Sequence, residues 1–468
     1  MPVSFCAEGD RRIILWAAIL ASSMGFIDSS VTSIALPAMR EALRASLPQA
    51  QWINASYLLA VSSLVLVGGA MGDRFGIARI FSLGILVFVA GSLACAAAMT
   101  PEQMIAARAA KGIGAAMMVP GSMAMISRAY PRAERGRALG LWAAASTLTT
   151  AMGPVLGGMF VTWGGELGWR LIFALNLPLG LLALWLVRGR TPGDIGKPGV
   201  RVDLPGAGLA TLGLGLMAWA LTEASAPTWV AFAAVASLAA FLAWESIAPA
   251  PMLRLGMFRN RTLAVTNMVT FMLYFALNGV MFYLPMTAVT AWNVTALEVT
   301  AAFLPISVLI GVLSAPAGRM ADRWGAGPLM ATGSTLVALA YAGLWLAAPQ
   351  GEFWAHVVPL TTLAGLGLGL VVAPLTAAAM QGAEDGEQGA ASGVNNAVAR
   401  VAGLIAVALL GRMAAEAYGT GSPGFGLTAD TPAHLAATGA AFGTVALAAS
   451  LMAALAAVLA VLVARPVR

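Results

Sequence analysis

Apolar residues recur along this chain in blocks of about twenty, the length that spans a ~30 Å hydrocarbon core as α-helix. Such blocks leave few foldable outcomes. A strand facing lipid could not satisfy its backbone, and the period-two alternation of a membrane barrel is missing. The chain is therefore an all-α polytopic membrane protein. Composition agrees, with 10% charged residues against the roughly one quarter of a soluble domain. Spans fall near 13–37, 50–70, 78–99, 101–127, 137–162, 170–187, 204–224, 228–247, 262–290, 298–317, 328–348, 354–380, 390–412 and 436–464, about fourteen in all.

One short element occurs twice. GGAMGDRFG covers Gly68–Gly76 and APAGRMADRWG covers Ala315–Gly325, with Asp73 and Asp322 separated by 322 − 73 = 249 residues. The first copy joins spans 2 and 3; the second joins spans 10 and 11. Two six-helix halves alone would put the second copy between spans 8 and 9, so spans 7 and 8 are an inserted pair. The implied order is a six-helix bundle over 1–187, a linker over 188–203, the pair over 204–247, a linker over 248–261 and a second six-helix bundle over 262–468. Paired halves are the architecture by which many carriers alternate access to the two sides of a membrane.

The net charge of +6 resides mainly in the loops. With the N-terminus inside, nineteen basic residues face inward: Arg11, Arg12, Arg74, Arg79, Arg128, Arg132, Arg135, Arg137, Arg188, Arg190, Lys197, Arg201, Arg254, Arg259, Arg261, Arg319, Arg323, Arg465 and Arg468. Four face outward: Arg40, Arg44, Arg170 and Arg412. That bias puts both termini in the cytoplasm and accounts for the basic balance without nucleic acid. The excess of Arg over Lys and the abundance of Ala point to a GC-rich bacterial genome, and the membrane expected is the bacterial cytoplasmic one. The first apolar run is too long for a signal h-region and reads as an uncleaved span. Cys6 and Cys95 form neither a disulfide framework nor a metal-ligand spacing, so no metal site is assigned. The segment near 416–434 is the longest outer loop and is expected to be mobile.

Asp28, Arg108, Lys111 and Arg400 fall deep inside spans, where an ionisable residue marks a pathway or a buried pair. At 1.5 Å per residue, Asp28 lies about 22 Å from the inner end of span 1, some 8 Å below the outer edge. Arg108 enters from outside and is about 10 Å down, so acid and base share a level. Lys111 shares the face of Arg108 at i+3. A static pair and a proton-exchanging one both fit; coupling requires only that a solute perturb a carboxylate poised between burial and a nearby cation. Arg400 lies near the midplane of span 13, a turn or so after Asn395 and Asn396, where a helix clamp and a substrate contact are equally consistent. In span 5, Pro154 sits among Gly153, Gly157 and Gly158, a kinked seam that lets a neighbouring helix approach. In the hairpins, Gly72, Asp73, Arg74 and Gly76, with Asp322 and Arg323 in the second copy, suit a lock in which the aspartates accept bonds from helix N-termini or pair with arginines.

These segments together resemble the major facilitator superfamily, specifically its fourteen-helix drug:proton antiporters of the EmrB/QacA type. IDSSVTSIALP (Ile27–Pro37) is similar to the family's first-span motif, with Asp28 at its acidic position, and QWINASYLLA (Gln51–Ala60) to its second-span motif. GDRFGIAR resembles the first inter-helix motif, with Ile77 and Ala78 in place of part of its basic run. RAAKGIGAA (Arg108–Ala116) resembles the fourth-span motif, with Lys111 where Gln is usual. GPVLGG resembles the antiporter motif of span 5. GWRLIFALNLPLG (Gly168–Gly180) and ASGVNNAVARVAG (Ala391–Gly403) complete the set.

The resemblance implies proton-driven export of small molecules through a central cavity, with Asp28 bearing the proton and Arg108 tuning it. Met24, Trp52, Asn54, Tyr57, Asn176, Asn267, Tyr274, Asn278, Asn395, Asn396 and Arg400 are the candidates to line that cavity. The partners implied are a small-molecule substrate, protons and the bilayer, for a chain working as a monomer. No cofactor is assigned, the proton gradient supplying the energy, and no Walker-type GxxxxGK[ST] loop is present. The reading is of a carrier, not an enzyme. Its substrates are amphipathic drug-like compounds or, alternatively, one metabolite or natural product; the absence of an acid at mid-depth in the second half, together with Lys111, suits neutral or anionic solutes. A non-transporting membrane sensor is a third reading.

Overall fold

Most of the long apolar runs become helices that continue past the hydrocarbon length until a cap or a turn stops them. The computed structural model describes residues 5–382, 388–420 and 423–463; Arg465 and Arg468 of the inward-charge set lie outside the described residues. The α-helices are α1 (Arg11–Ala42), α2 (Leu47–Phe75), α3 (Ile77–Ala97), α4 (Pro101–Ala129), α5 (Arg132–Trp163), α6 (Gly168–Ala174), α7 (Asn176–Val187), α8 (Leu204–Thr222), α9 (Thr228–Ile247), α10 (Arg261–Ala291), α11 (Ala296–Trp324), α12 (Ala326–Ala347), α13 (Val358–Gln381), α14 (Gln388–Tyr418) and α15 (Pro432–Ala460). Among the described residues there is no strand, and fourteen helical segments are long and apolar enough to cross a membrane. The sixth of these is interrupted at Leu175, between α6 and α7.

Local chemistry sets several helix starts. Thr100 Oγ1 accepts from the Gln103 N–H, with Pro101 in the first turn of α4. Thr295 and Glu298 form a capping box on α11. Asn260 caps α10 and Thr431 caps α15. Pro37, Pro120, Pro154, Pro285 and Pro374 lie inside helices, as a membrane-embedded bundle tolerates.

The chain packs as two compact units. The first contains residues 5–32, 52–215 and 234–252; the second contains 33–51, 216–233 and the described residues from 253 onward. In the first, α3 packs on α4 and on α6–α7; in the second, α12 packs on α13 and on α15. These are corresponding helices once the eight-span offset of the hairpins is applied. The offset holds at residue level. A Cβ at Gly84 would lie 2.9 Å from the Gly114 carbonyl oxygen, and a Cβ at Gly333 would crowd the Gly367 carbonyl in the same way. Gly84 and Gly333 are again 333 − 84 = 249 apart. Both hairpins turn on a glycine of positive φ, Gly76 at 107° and Gly325 at 86°, a conformation costly to any residue with a Cβ.

The core of the first unit joins Ile14, Ala17, Ala21 and Met24 of α1 to Tyr57 and Val61 of α2 and to Phe81, Ile85 and Phe88 of α3, with Met118 and Met125 of α4. α8 and α9 bury 33% and 17% of their apolar windows, as little as α11 and α5 and well below the 61% of α1. Apolar faces left outward, such as Phe232 and Val235, are what a lipid-facing pair requires. That pair is tied by an edge-to-face contact of Trp219 and Trp229 and by the Trp244 indole N–H donating to Asp203 Oδ1 at 2.8 Å.

Candidate functional site

The deep ionisable residues of the first unit meet. Asp28 of α1 accepts from Arg108 Nη1 through Oδ2 at 2.6 Å and from Lys111 Nζ through Oδ1. All three side chains are 0% exposed. Arg108 Nε donates to the Ile53 carbonyl at 3.0 Å, and its guanidinium stacks 4.4 Å from the Tyr57 ring. The Lys111 ammonium stands 4.7 Å from the ring centres of both Phe88 and Phe173. Two cations and one anion thus occupy a compartment closed to the surface and walled by aromatic faces, which stabilise desolvated cations. Breaking such a set strands charge in a medium that cannot solvate it.

The two hairpins differ in their surroundings. In the first, Asp73 is exposed and stands 3.5 Å from Arg128 of α4. The N-terminus of α3 is capped from elsewhere: Asp194 accepts from Ile77 N–H at 2.8 Å, Ala78 N–H at 2.9 Å and Arg79 N–H at 3.3 Å. Lys197 N–H then donates to the Asp73 carbonyl at 2.8 Å. The linker is therefore docked on the hairpin. Of the two bonding patterns expected for Asp73, the structure has the arginine pair. Asp322 and Arg323 are exposed, and Asp322 has no ion-pair partner among the described residues. Arg74 is exposed, while Gly72 and Gly76 are buried in the turn.

Gly153, Pro154, Gly157 and Gly158 are buried in α5. A Cβ at Gly153 would lie 3.1 Å from Ser30 Cβ and closer still to Ser30 Oγ, so α5 approaches α1 two residues beyond Asp28. Of the cavity candidates in the first unit, Met24, Asn54, Tyr57 and Asn176 are buried and Trp52 is half-buried. Met24 and Tyr57 belong to its apolar core. In the second unit, Asn395 Nδ2 donates to Thr270 Oγ1 at 2.6 Å and to Asn267 Oδ1 at 3.3 Å, joining α14 to α10. Asn278 donates to the Tyr274 carbonyl at 2.8 Å, and Arg400 acts electrostatically on Tyr274. Asn396, next to Asn395, is exposed.

Several polar anchors escape a reading of sequence alone. Arg40, 3% exposed, donates to the Phe425 carbonyl at 2.6 Å and to the Ala45 carbonyl at 3.1 Å. Gln51 Nε2 donates to Tyr283 Oη at 2.8 Å and to the Val407 carbonyl at 2.7 Å. Tyr283 donates to the same carbonyl at 2.5 Å. All belong to the second unit. They also revise the expected mobile loop: Glu416–Tyr418 are helical, and Phe425 is buried between the Tyr283 and Tyr418 rings. A polar residue near a helix end was the available signal; its partner, hundreds of positions away, was not. Cys6, outside the spans, is buried, and burial raises its thiol pKa.

A helical bundle with a repeated interspan hairpin and a buried charge cluster between helices belongs to a solute carrier, not an enzyme. The chain is a member of the major facilitator superfamily, whose family model matches residues 18–407. It is 32% identical to the methylenomycin A resistance protein of Bacillus subtilis (strain 168), over 85% of this chain and 86% of that relative. It is 28% identical to the tetracenomycin C resistance and export protein of Streptomyces glaucescens, over 86% of this chain and 77% of that relative. The crystal structure of a bacterial homologue of the human lysosomal transporter Spinster, inward-facing and unoccupied, shares its fold with a TM-score of 0.72 at 15% identity, covering 98% of this chain and 97% of that one.

Proposed function

We propose that this transporter is a proton-driven exporter of small amphipathic molecules, working by alternating access in a bacterial cytoplasmic membrane with both termini inside. The supporting observation is the Asp28–Arg108–Lys111 triad, three ionisable side chains with no exposure in a membrane helix bundle. Such a cluster is costly unless it serves a pathway or a relay. In this reading the triad is the site of proton exchange, the repeated hairpins are the inner gate, and the Asn267–Thr270–Asn395 cluster faces the substrate route. No cofactor is needed; the proton gradient supplies the energy. The chain works as a monomer and belongs to the fourteen-helix drug:proton antiporter branch.

A narrower reading is favoured by two relatives that are named for single antibiotics, methylenomycin A and tetracenomycin C. A dedicated exporter of one natural product would use the same fold and triad. A susceptibility panel in an efflux-deficient host, including methylenomycin A, tetracenomycin C and ethidium, separates the two. Protection against one chemical type supports the narrow exporter; protection across types supports the broad one. Compounds that score are then tested in proteoliposomes with an imposed pH gradient. Gradient-driven flux lost in Asp28→Asn supports the triad, and undiminished flux in that variant removes it from the mechanism.

A further inference from the structure

The triad has more positive than negative charge, and that surplus decides which of its members exchanges a proton. With all three ionised, Asp28, Arg108 and Lys111 sum to +1 in a compartment with no exposure. Protonating Asp28 would raise the sum to +2 and remove the one anion. Removing a proton from Lys111 brings it to zero and leaves the Asp28–Arg108 ion pair intact. Arg108 does not take part, because a guanidinium stays protonated in proteins. Its Nη2 has no hydrogen-bond partner among the described residues, so the existing cation is already short of acceptors.

The groups around Lys111 do not cancel the surplus. α1 presents Asp28 and α4 presents Arg108. α3 presents Phe88 and Cys95. α6 presents Phe173, while its Arg170 is engaged with the Ala96 and Ala98 carbonyls. The Asp28 carboxylate and the two rings hold the Lys111 ammonium, and the Arg108 guanidinium that shares Asp28 repels it. We infer that Lys111, rather than Asp28, is the proton-carrying residue of this transporter. The step breaks one Nζ–H bond, leaves the electron pair on Nζ and hands the proton to water admitted when the helices part; the reverse step restores the ammonium. Asp28 stays a carboxylate throughout and acts as a positioning residue, holding Nζ by a hydrogen bond in either state.

This inference rests on the proton-driven reading, yet its first test needs neither substrate nor gradient. The chain has two lysines, Lys111 and Lys197. In full-length protein carrying ¹³C-labelled lysine in lipid nanodiscs, two Cε–Hε signals appear, assigned with Lys197→Arg. The expected result is a Lys111 signal moving between the ammonium and amine positions across neutral pH. A Lys111 signal fixed as ammonium across that range overturns the inference. The second test uses inverted membrane vesicles with tetracenomycin C or methylenomycin A, whichever the panel selects. Lys111→Arg, a permanent cation of similar reach, is expected to lose pH-gradient-driven flux while keeping exchange of labelled for unlabelled compound. Gradient-driven flux retained in Lys111→Arg overturns the assignment to Lys111. Absence of such flux in the unaltered protein overturns the proton-driven reading instead, and the titration of Lys111 is judged separately.

Discussion

The polar centres of the two units are built from opposite materials. Where α1 and α4 meet, three charges are locked together without exposure. Where α10 and α14 meet, Asn267, Thr270 and Asn395 make a neutral hydrogen-bonded cluster, with the Arg400 cation further along α14 acting on Tyr274. α13, the counterpart of α4 by helix order, carries no charged side chain. The contrast shows that duplicating a fold does not duplicate its chemistry. A charged set is strong only as a whole, because losing one member strands the others. Amides and hydroxyls give up little when rearranged, since each finds another partner or a backbone carbonyl. The charged set of one unit is thus all-or-none, whereas the amide and hydroxyl set of the other can lose a member and rearrange.

The sharpest way to break this comparison is to neutralise the charged side. Asp28→Asn leaves Arg108 without its anion and should destabilise the protein by about 3–5 kcal/mol, read as a lowered melting temperature in detergent. A loss no larger than that of an amide variant would erase the distinction. Next in size is the linker cap. Asp194→Ala removes the acceptor of three N–H groups at the start of α3 and should cost about 1 kcal/mol, with faster hydrogen exchange confined to the first turn of α3. Asn395→Ala cuts the α10–α14 bonds and should cost about 0.6 kcal/mol, the usual worth of such bonds between membrane helices. Smallest are the hairpin aspartates. Asp73→Asn should lose less than about 0.5 kcal/mol, an effect that fades in high salt because its pair with Arg128 is partly exposed. Asp322→Asn should leave the melting temperature unchanged, and an equal effect of the two variants would restore the symmetry that the structure breaks.

Much of this was legible from residues. Block length gave the spans, and the hairpin offset gave the correspondence of α3 with α12. Depth arithmetic put Asp28 and Arg108 on one level, and helical spacing put Lys111 beside Arg108. The Asp194 cap was not legible: 117 residues separate it from Ile77, and an aspartate in a Pro/Gly-rich linker has many local uses. Nor was the anchoring of Phe425, whose Gly-rich surroundings read as a mobile loop although its carbonyl receives Arg40.

Sequence by itself determined that the chain is a helical membrane protein of two related halves, because hydrophobic length, charge bias and turn glycines act over a few residues and are written in order. Tertiary structure alone decided which side chains share a compartment. Helix rotation and the close approaches at Gly84 and Gly153 bring Asp28, Arg108 and Lys111 to one point without exposure, and only there does their count of charges acquire a consequence. The repeated hairpin states the symmetry; the packed interior departs from it, because side-chain partners across helices are chosen by distance in space and not along the chain.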